Sequence, residues 1–222
     1  SGSLILADNL DIDGLFTFNT TGGTAGFNFG ANTVYYSGAT LNLSTCDTWN
    51  MTNASSMIVF DGTTTLTGSS KQFNHVTIGT DTASGSVTLG GALDINGTLT
   101  FNTTFGTAGF DFVTYTLNYA GTTLDLTTSD TWDMTDSTAT IIFDAAVNQT
   151  LNPGAKSFKI LTISKTANAE VILSTNILTV ISQLNISANA TLYLNGINLT
   201  ATEITFSNSG TLKLQGGETL TN

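Results

Sequence analysis

The sequence predicts an all-β protein wound as a repetitive β-solenoid, a parallel β-helix-like coil, and three observations carry that prediction. The first is a duplication. LDIDGLFTFNTTGGTAGFNF, from Leu10 to Phe29, returns as LDINGTLTFNTTFGTAGFDF from Leu93 to Phe112 with 15 of 20 positions identical. The match runs without a gap, always 83 residues apart, through Trp49 and Trp132 to Asp61 and Asp144, so one supersecondary unit has been copied. The second is a rapid apolar/polar alternation in segments of three to five residues, each closed by Gly, Asn, Asp, Ser or Thr, the pattern of short half-buried strands. The third is composition. Arginine is absent, Glu occurs three times and Lys five times, so the residues that stabilise exposed helix faces are scarce and almost no helix is expected.

In chain order the first copy reads as strands at Leu10 to Ile12, Leu15 to Phe18, Phe27 to Phe29, Val34 to Tyr36, Leu41 to Leu43 and Trp49 to Met51. It continues at Met57 to Phe60, Thr65 to Thr67, Val76 to Ile78 and Val87 to Leu89. The second copy answers strand for strand, ending with Ile141 to Phe143, Thr150 to Asn152, Leu161 to Ile163 and Val171 to Leu173. Between Asp61 and Leu66 the offset grows to 85, because AAVNQT stands in place of GTTT. A third, looser copy starts at Ile177, with strands at Leu192 to Leu194, Ile204 to Phe206 and Leu212 to Leu214. The expected organisation is one continuous repeat body over residues 1–222, with units at 10–92 and 93–176 and a partial unit at 177–222.

The alternative all-β solution is a tandem of β-sandwiches. A sandwich needs strands long enough to cross a face, commonly about 5 to 6 residues, with hairpin turns between partners. These strands are shorter and too numerous. In a solenoid each short strand pairs with its equivalents one turn above and below, and inward residues stack into ladders. Phe18 with Phe101, Phe27 with Phe110, Trp49 with Trp132, Phe60 with Phe143 and Phe73 with Phe158 would line such a core. Three strands of about eight residues per turn give on the order of nine turns at about 4.8 Å each.

Composition also bounds function. Hydrophobic residues make up 40% of the chain and charged residues 9%, so solubility rests on Thr, Ser and Asn. A net charge of -11 repels phosphate backbones and anionic lipid heads, which argues against nucleic acid as a partner. No apolar run approaches the roughly 20 residues a membrane helix needs, so no membrane insertion is expected. The start SGSLIL lacks the basic head and long apolar middle of a secretion leader; a leader, if there was one, is already gone. Cys46 has no second cysteine to pair with, and Ser129 replaces it in the second copy.

The phrases GSSKQFNHVTIGTDTASGSVTLGGALDINGTLTF and GAKSFKILTISKTANAEVILSTNILTVISQLNI resemble the Thr, Gly and Asn-rich tandem repeats of prokaryotic surface and adhesin-like proteins. The resemblance implies a secreted, non-catalytic β-rod, as in haemagglutinin-like adhesins, surface-layer or sheath proteins and fibres. It transfers no functional residue, since such families share a periodicity rather than a site.

Candidate sites follow from the two copies read against each other. Parallel β-helix lyases and glycosidases work through clustered carboxylates, yet Asn28, Asn42, Asn50 and Asn53 become Asp111, Asp125, Asp133 and Asp136, while Asp13 becomes Asn96. Only Asp11/Asp94, Asp47/Asp130 and Asp61/Asp144 stay acidic, and turn roles are expected for them. Neither a DxDxDG loop nor a GGxGxD nonapeptide occurs, so no metal or cofactor is expected. Lys71 and Lys156 each follow a paired Asp, which points to a Lys to Asp contact at a turn. His75 gives way to Ile160 in the second copy and has no nucleophile matched to it. In TWNMT and TWDMT the alternation turns Trp49 and Trp132 inward with Met51 and Met134; turned outward instead, the two indoles would form a platform for sugar rings. Ten Asn-x-Ser/Thr sites, among them Asn19, Asn42, Asn102 and Asn185, permit surface glycosylation.

Both chain ends, SLILADNLDI and GTLKLQGGETL, read as ordinary strands rather than caps. The expectation is therefore a fragment of a longer array, or a subunit whose ends are satisfied by neighbouring copies head to tail. The function expected first is a non-enzymatic structural protein of an extracellular, cell-surface assembly. An adhesive or glycan-binding segment of a larger surface protein or phage fibre comes second, and a polysaccharide-degrading enzyme third.

Overall fold

The structure is a computed structural model that describes residues 1–206 and 210–222. The described residues form 27 β-strands and no helix. Every strand pairing within the two compact units described below is parallel, as coiling predicts and hairpin-built sandwiches do not allow. The fold is a β-solenoid. Contacts divide it into a unit of residues 1–111 with 129–131 and a unit of residues 112–128 with 132–222.

The first unit carries three ladders. One runs through Leu10–Ile12, Thr33–Tyr36, Met57–Phe60, His75–Ile78 and Leu99–Phe101. Its register stacks Leu10, Val34, Ile58, Val76 and Leu99 in one column and Ile12, Tyr36, Phe60, Ile78 and Phe101 in the next. Both columns are buried from the second strand onward. The reason is the period of two: residues two apart point to the same side, and parallel in-register pairing lays each on its equivalent one turn away. Burying each Val, Ile, Leu or Phe stabilises by about 1.5–3 kcal/mol, and the columns provide many of them. A second ladder runs through Thr40–Asn42, Thr63–Thr67, Gly85–Leu89 and Ala108–Asp111.

The third ladder is interrupted. Gly2–Ile5, Ala25–Asn28 and Thr48–Asn50 pair in succession, and a separate pairing joins Gln72–Phe73 to Leu93–Ile95. Thus Leu10–Ile12 and its duplicate Leu93–Ile95 stand on different ladders. Successive equivalents lie 24 residues apart from Val34 to Ile58 but 18 from Ile58 to Val76. The 83-residue copy is not a whole number of turns.

In the second unit one ladder runs through Thr123–Asp125, Gln149–Asn152, Glu170–Leu173, Thr191–Tyr193 and Thr211–Lys213. Another runs through Thr116–Tyr119, Thr140–Phe143, Ser157–Ile163 and Leu178–Ile186. The last two strands, of seven and nine residues, are longer than expected. Their pairing shifts register between Phe158 and Ile160. Beyond it the halves of Leu178–Ile186 part company: Leu178 to Val180 pair with Leu199–Ala201, and Leu184 to Ile186 with Ile204–Phe206.

The other expected strands lie within a residue or two of those found, with one clear exception. Leu15 to Phe18 forms no strand, only a bridge from Phe16 to Leu41. Its duplicate Leu99–Phe101 is a strand because Val76–Ile78 lies alongside it. Three residues of alternation do not make a strand without a partner edge. Phe18 is accordingly half-buried, whereas Phe27, Phe60, Phe73, Phe101, Phe110, Phe143 and Phe158 are buried core residues.

Candidate functional site

The interruption of the third ladder is where a surface groove opens. Trp49, in Thr48–Asn50, stacks on Phe27 at 5.6 Å and 23°, and meets Phe73 at 5.4 Å and 49° on the far side of the break. Phe29 abuts it edge-on at 4.9 Å. Aromatic surface thus fills the gap left by missing backbone pairing. The indole Nε1–H is buried and meets no acceptor among the described residues.

The groove encloses about 260 Å³. Its floor is Trp49 with buried Met51 and Phe73, and its rim is Thr52, Gln72, Asn74 and Asn96. The rim is hydroxyl and carboxamide, with no charge among those four. Gln72 Nε2 donates to Asp94 Oδ2 at 3.3 Å, and Asn74 Nδ2 to the Asn53 carbonyl at 2.8 Å. Burial raises the Asp94 carboxyl above its usual value, against the opposing effect of the Gln72 bond.

Trp132 is 7% exposed. It meets Phe112 edge-on at 4.7 Å and Phe158 at 6.0 Å and 64°. At the positions matching Gln72, Asn74 and Asn96 the chain carries Ser157, Lys159 and Ile181. The carboxamide rim therefore belongs to the first copy.

One of the three acidic pairs holds backbone. Asp47 Oδ2 accepts from the Ala25 N–H at 2.7 Å, and Asp130 Oδ2 from the Ala108 N–H at 2.8 Å, the same bond in both copies. Lys71 reaches the main-chain carbonyl of Asp47 at 3.2 Å. Asp61 ends a buried apolar run; desolvation raises its carboxyl, and its Oδ1 is buried with no hydrogen-bond partner among the described residues.

Two of the Asn/Asp exchanges share a cause. Asn42 Oδ1 accepts from the Ser44 N–H at 2.9 Å, and Asp125 Oδ1 from the Thr127 N–H at 3.0 Å. Asn50 and Asp133 make the same bond to Thr52 and Thr135. Each turn uses one oxygen, which amide and carboxylate both supply. Cys46 and Ser129 exchange likewise: Sγ donates to the Thr48 carbonyl at 3.2 Å and Oγ to the Thr131 carbonyl at 2.8 Å. Burial pushes the Cys46 thiol up. His75 joins successive turns, its Nε2 donating to the Ala54 carbonyl at 2.9 Å and its Nδ1 accepting from the Thr98 N–H at 3.1 Å, which fixes the tautomer.

Asn19 and Asn42 are exposed, each accepting a local turn bond through Oδ1. Asn102 and Asn185 are half-buried, and their Nδ2 groups, where a glycan would attach, donate to Asp81 Oδ1 at 3.0 Å and Thr162 Oγ1 at 3.3 Å.

One buried polar cluster escaped the sequence reading. In the second unit Lys165, 6% exposed, donates from Nζ to Oε1 of Gln149, itself 1% exposed. Gln149 Nε2 donates in turn to the carbonyls of Tyr119 at 2.9 Å and Gly121 at 2.6 Å. Desolvation lowers the Lys165 amine to about 8, with Asp144 nearby pulling it back up. The only sequence signals were the AAVNQT insertion that introduces Gln149 and a lysine at 165 with Thr80 as its first-copy equivalent. Among the described residues no group of three or more His, Cys, Asp or Glu is assembled to hold a metal. Comparison of the chain with family models, with characterised proteins and with solved structures finds no match.

Proposed function

We propose that the protein is a non-catalytic structural component of an extracellular prokaryotic surface assembly, such as a fibre, sheath or surface layer, joining copies of itself head to tail. The observation that carries this reading is the in-register parallel ladder with aromatic and aliphatic columns inside it. A terminal turn of such a ladder presents the same N–H and C=O groups and apolar columns that the turns within it satisfy, so another copy adds by the bonds already in use. The outward residues are mostly Thr, Ser and Asn, whose hydroxyl and amide groups offer lateral hydrogen bonds against the mutual repulsion of copies that each carry a net charge of -11. The paired carboxylates at Asp47 and Asp130 are engaged in backbone bonding, which supports a scaffold over a catalyst. Concentrated purified protein is expected to give ordered polymers in electron micrographs with a diffraction spacing near about 4.8 Å. Protein that stays monomeric at all concentrations overturns the assembly role.

A second reading is favoured by the Trp49 groove, whose apolar floor and neutral carboxamide rim match the two faces of a neutral sugar. Glycan-array binding that Gln72→Ala and Asn96→Ala abolish, while Ser157→Ala does not, supports it. Binding indifferent to the rim residues overturns it.

A further inference from the structure

The Lys165 cluster is more than the scaffold needs. At the corresponding place in the first copy, Thr64 Oγ1 donates to the Gly38 carbonyl at 2.8 Å, and this single bond does what Gln149 does for Gly121. The second copy instead buries an amine against a carboxamide beside an acidic group. Gln149 directs its Nε2 hydrogens to two main-chain carbonyls, which fixes the plane of the carboxamide. Lys165 Nζ rests on the oxygen of that same group, walled off from solvent. Of the three first-copy equivalents, Asp61, Thr64 and Thr80, only the aspartate is kept.

We propose that Lys165 and Gln149 react to form an intramolecular amide crosslink with release of ammonia. The unprotonated Lys165 Nζ attacks Cδ of Gln149, and the carbonyl electron pair moves onto Oε1. Asp144 accepts the proton lost by Nζ and returns it to Nε2. The Cδ–Nε2 bond then breaks, Oε1 recovers its double bond, and ammonia leaves. One C–N bond forms and one breaks, no oxidant or reductant is needed, and Asp144 ends in its starting state. Proximity supplies much of the rate, since a held nucleophile and carbonyl act at effective concentrations of about 10⁵ M or more. Burial adds to it: with the amine lowered to about 8, roughly a tenth is free base at pH 7. Asp144, whose backbone N–H shares the Tyr119 carbonyl with Gln149 Nε2, is assigned as the proton carrier of this acyl transfer. The product ties the Gln149–Asn152 strand to the segment after Ser157–Ile163, a covalent link between turns in a chain whose single cysteine cannot make one.

The test is the intact mass of the folded full-length chain, followed during incubation at pH 8 to 9, with peptide mapping under denaturing conditions. Wild type is expected about 17 Da below its sequence mass, the loss of one ammonia, with the Gln149 and Lys165 peptides joined. Lys165→Met and Gln149→Met, shown to keep β-sheet circular dichroism, are expected at full sequence mass. Asp144→Asn is expected to slow the loss at least tenfold. Folded wild type that keeps its full mass after prolonged incubation overturns the proposal. So does a deficit that survives Lys165→Met, or a loss of about 18 Da mapping to Lys165 and Asp144, which is condensation with the wrong partner.

Discussion

Thr64 and Gln149 hold the same position in the two copies and serve the same backbone need with different chemistry. Thr64 satisfies the Gly38 carbonyl with a hydroxyl and has nothing left over. Gln149 satisfies the Gly121 and Tyr119 carbonyls with its amide nitrogen, and its oxygen then requires a donor, which Lys165 provides from within the core. The Trp grooves differ in the same way: Trp49 is half-buried under a rim of Gln72, Asn74 and Asn96, while Trp132 is nearly covered. Copying conserved the demands of the main chain and left the side chains free to meet them differently. Chemistry of interest therefore sits where the copies diverge.

If the cores are equivalent, the largest effect falls equally on both. Phe60→Ala and Phe143→Ala, each removing a ring packed edge-on against Tyr36 or Tyr119, are each expected to cost about 3–5 kcal/mol in denaturant unfolding. Costs differing by more than about 1 kcal/mol break the equivalence.

The divergent cluster sets the next effect. In freshly refolded protein, with the Lys165 amine still free, the native state binds fewer protons than the unfolded state between pH about 8 and 10.5. Stability rises with pH through that window, by roughly 3–4 kcal/mol at about 1.4 kcal/mol per pKa unit, and the penalty is complete below about pH 8. Lys165→Met removes the slope, as does formation of the amide; a slope that persists in Lys165→Met places its source elsewhere. Trp132→Phe is expected to cost about 1 kcal/mol more than Trp49→Phe, because the less buried indole loses less contact. Smallest of all, Cys46→Ser is expected to shift stability by less than about 1 kcal/mol, since Ser129 already makes the same bond in the other copy. Equilibrium unfolding measures both.

The solenoid was legible because alternation and duplication are local and repeated: Met57–Phe60 and Ile204–Phe206 could be marked to the residue. What escaped depends on neighbours. Leu15 to Phe18 alternates as well as Leu99–Phe101 but lacks a strand alongside it. The merging of strands into Leu178–Ile186 needs a corner to straighten, which no periodicity announces. The inward turn of Trp132 followed from Trp-polar-Met spacing, while the groove at Trp49 depends on where one ladder stops. Lys165 and Gln149 are 16 residues apart in the chain, and only the path of the intervening loops brings amine and carboxamide together. A lysine in a Ser and Thr-rich stretch reads as exposed.

The mismatch between the 83-residue copy and the length of a revolution bears on recognition. Asp11 and its duplicate Asp94 belong to different ladders of the first unit, each with its own outlook on solvent. A rigid ligand seated along the ladder that carries Asp11 does not find Asp94 on that same ladder, so at this pair the copy adds a second direction of approach rather than a second contact on one front.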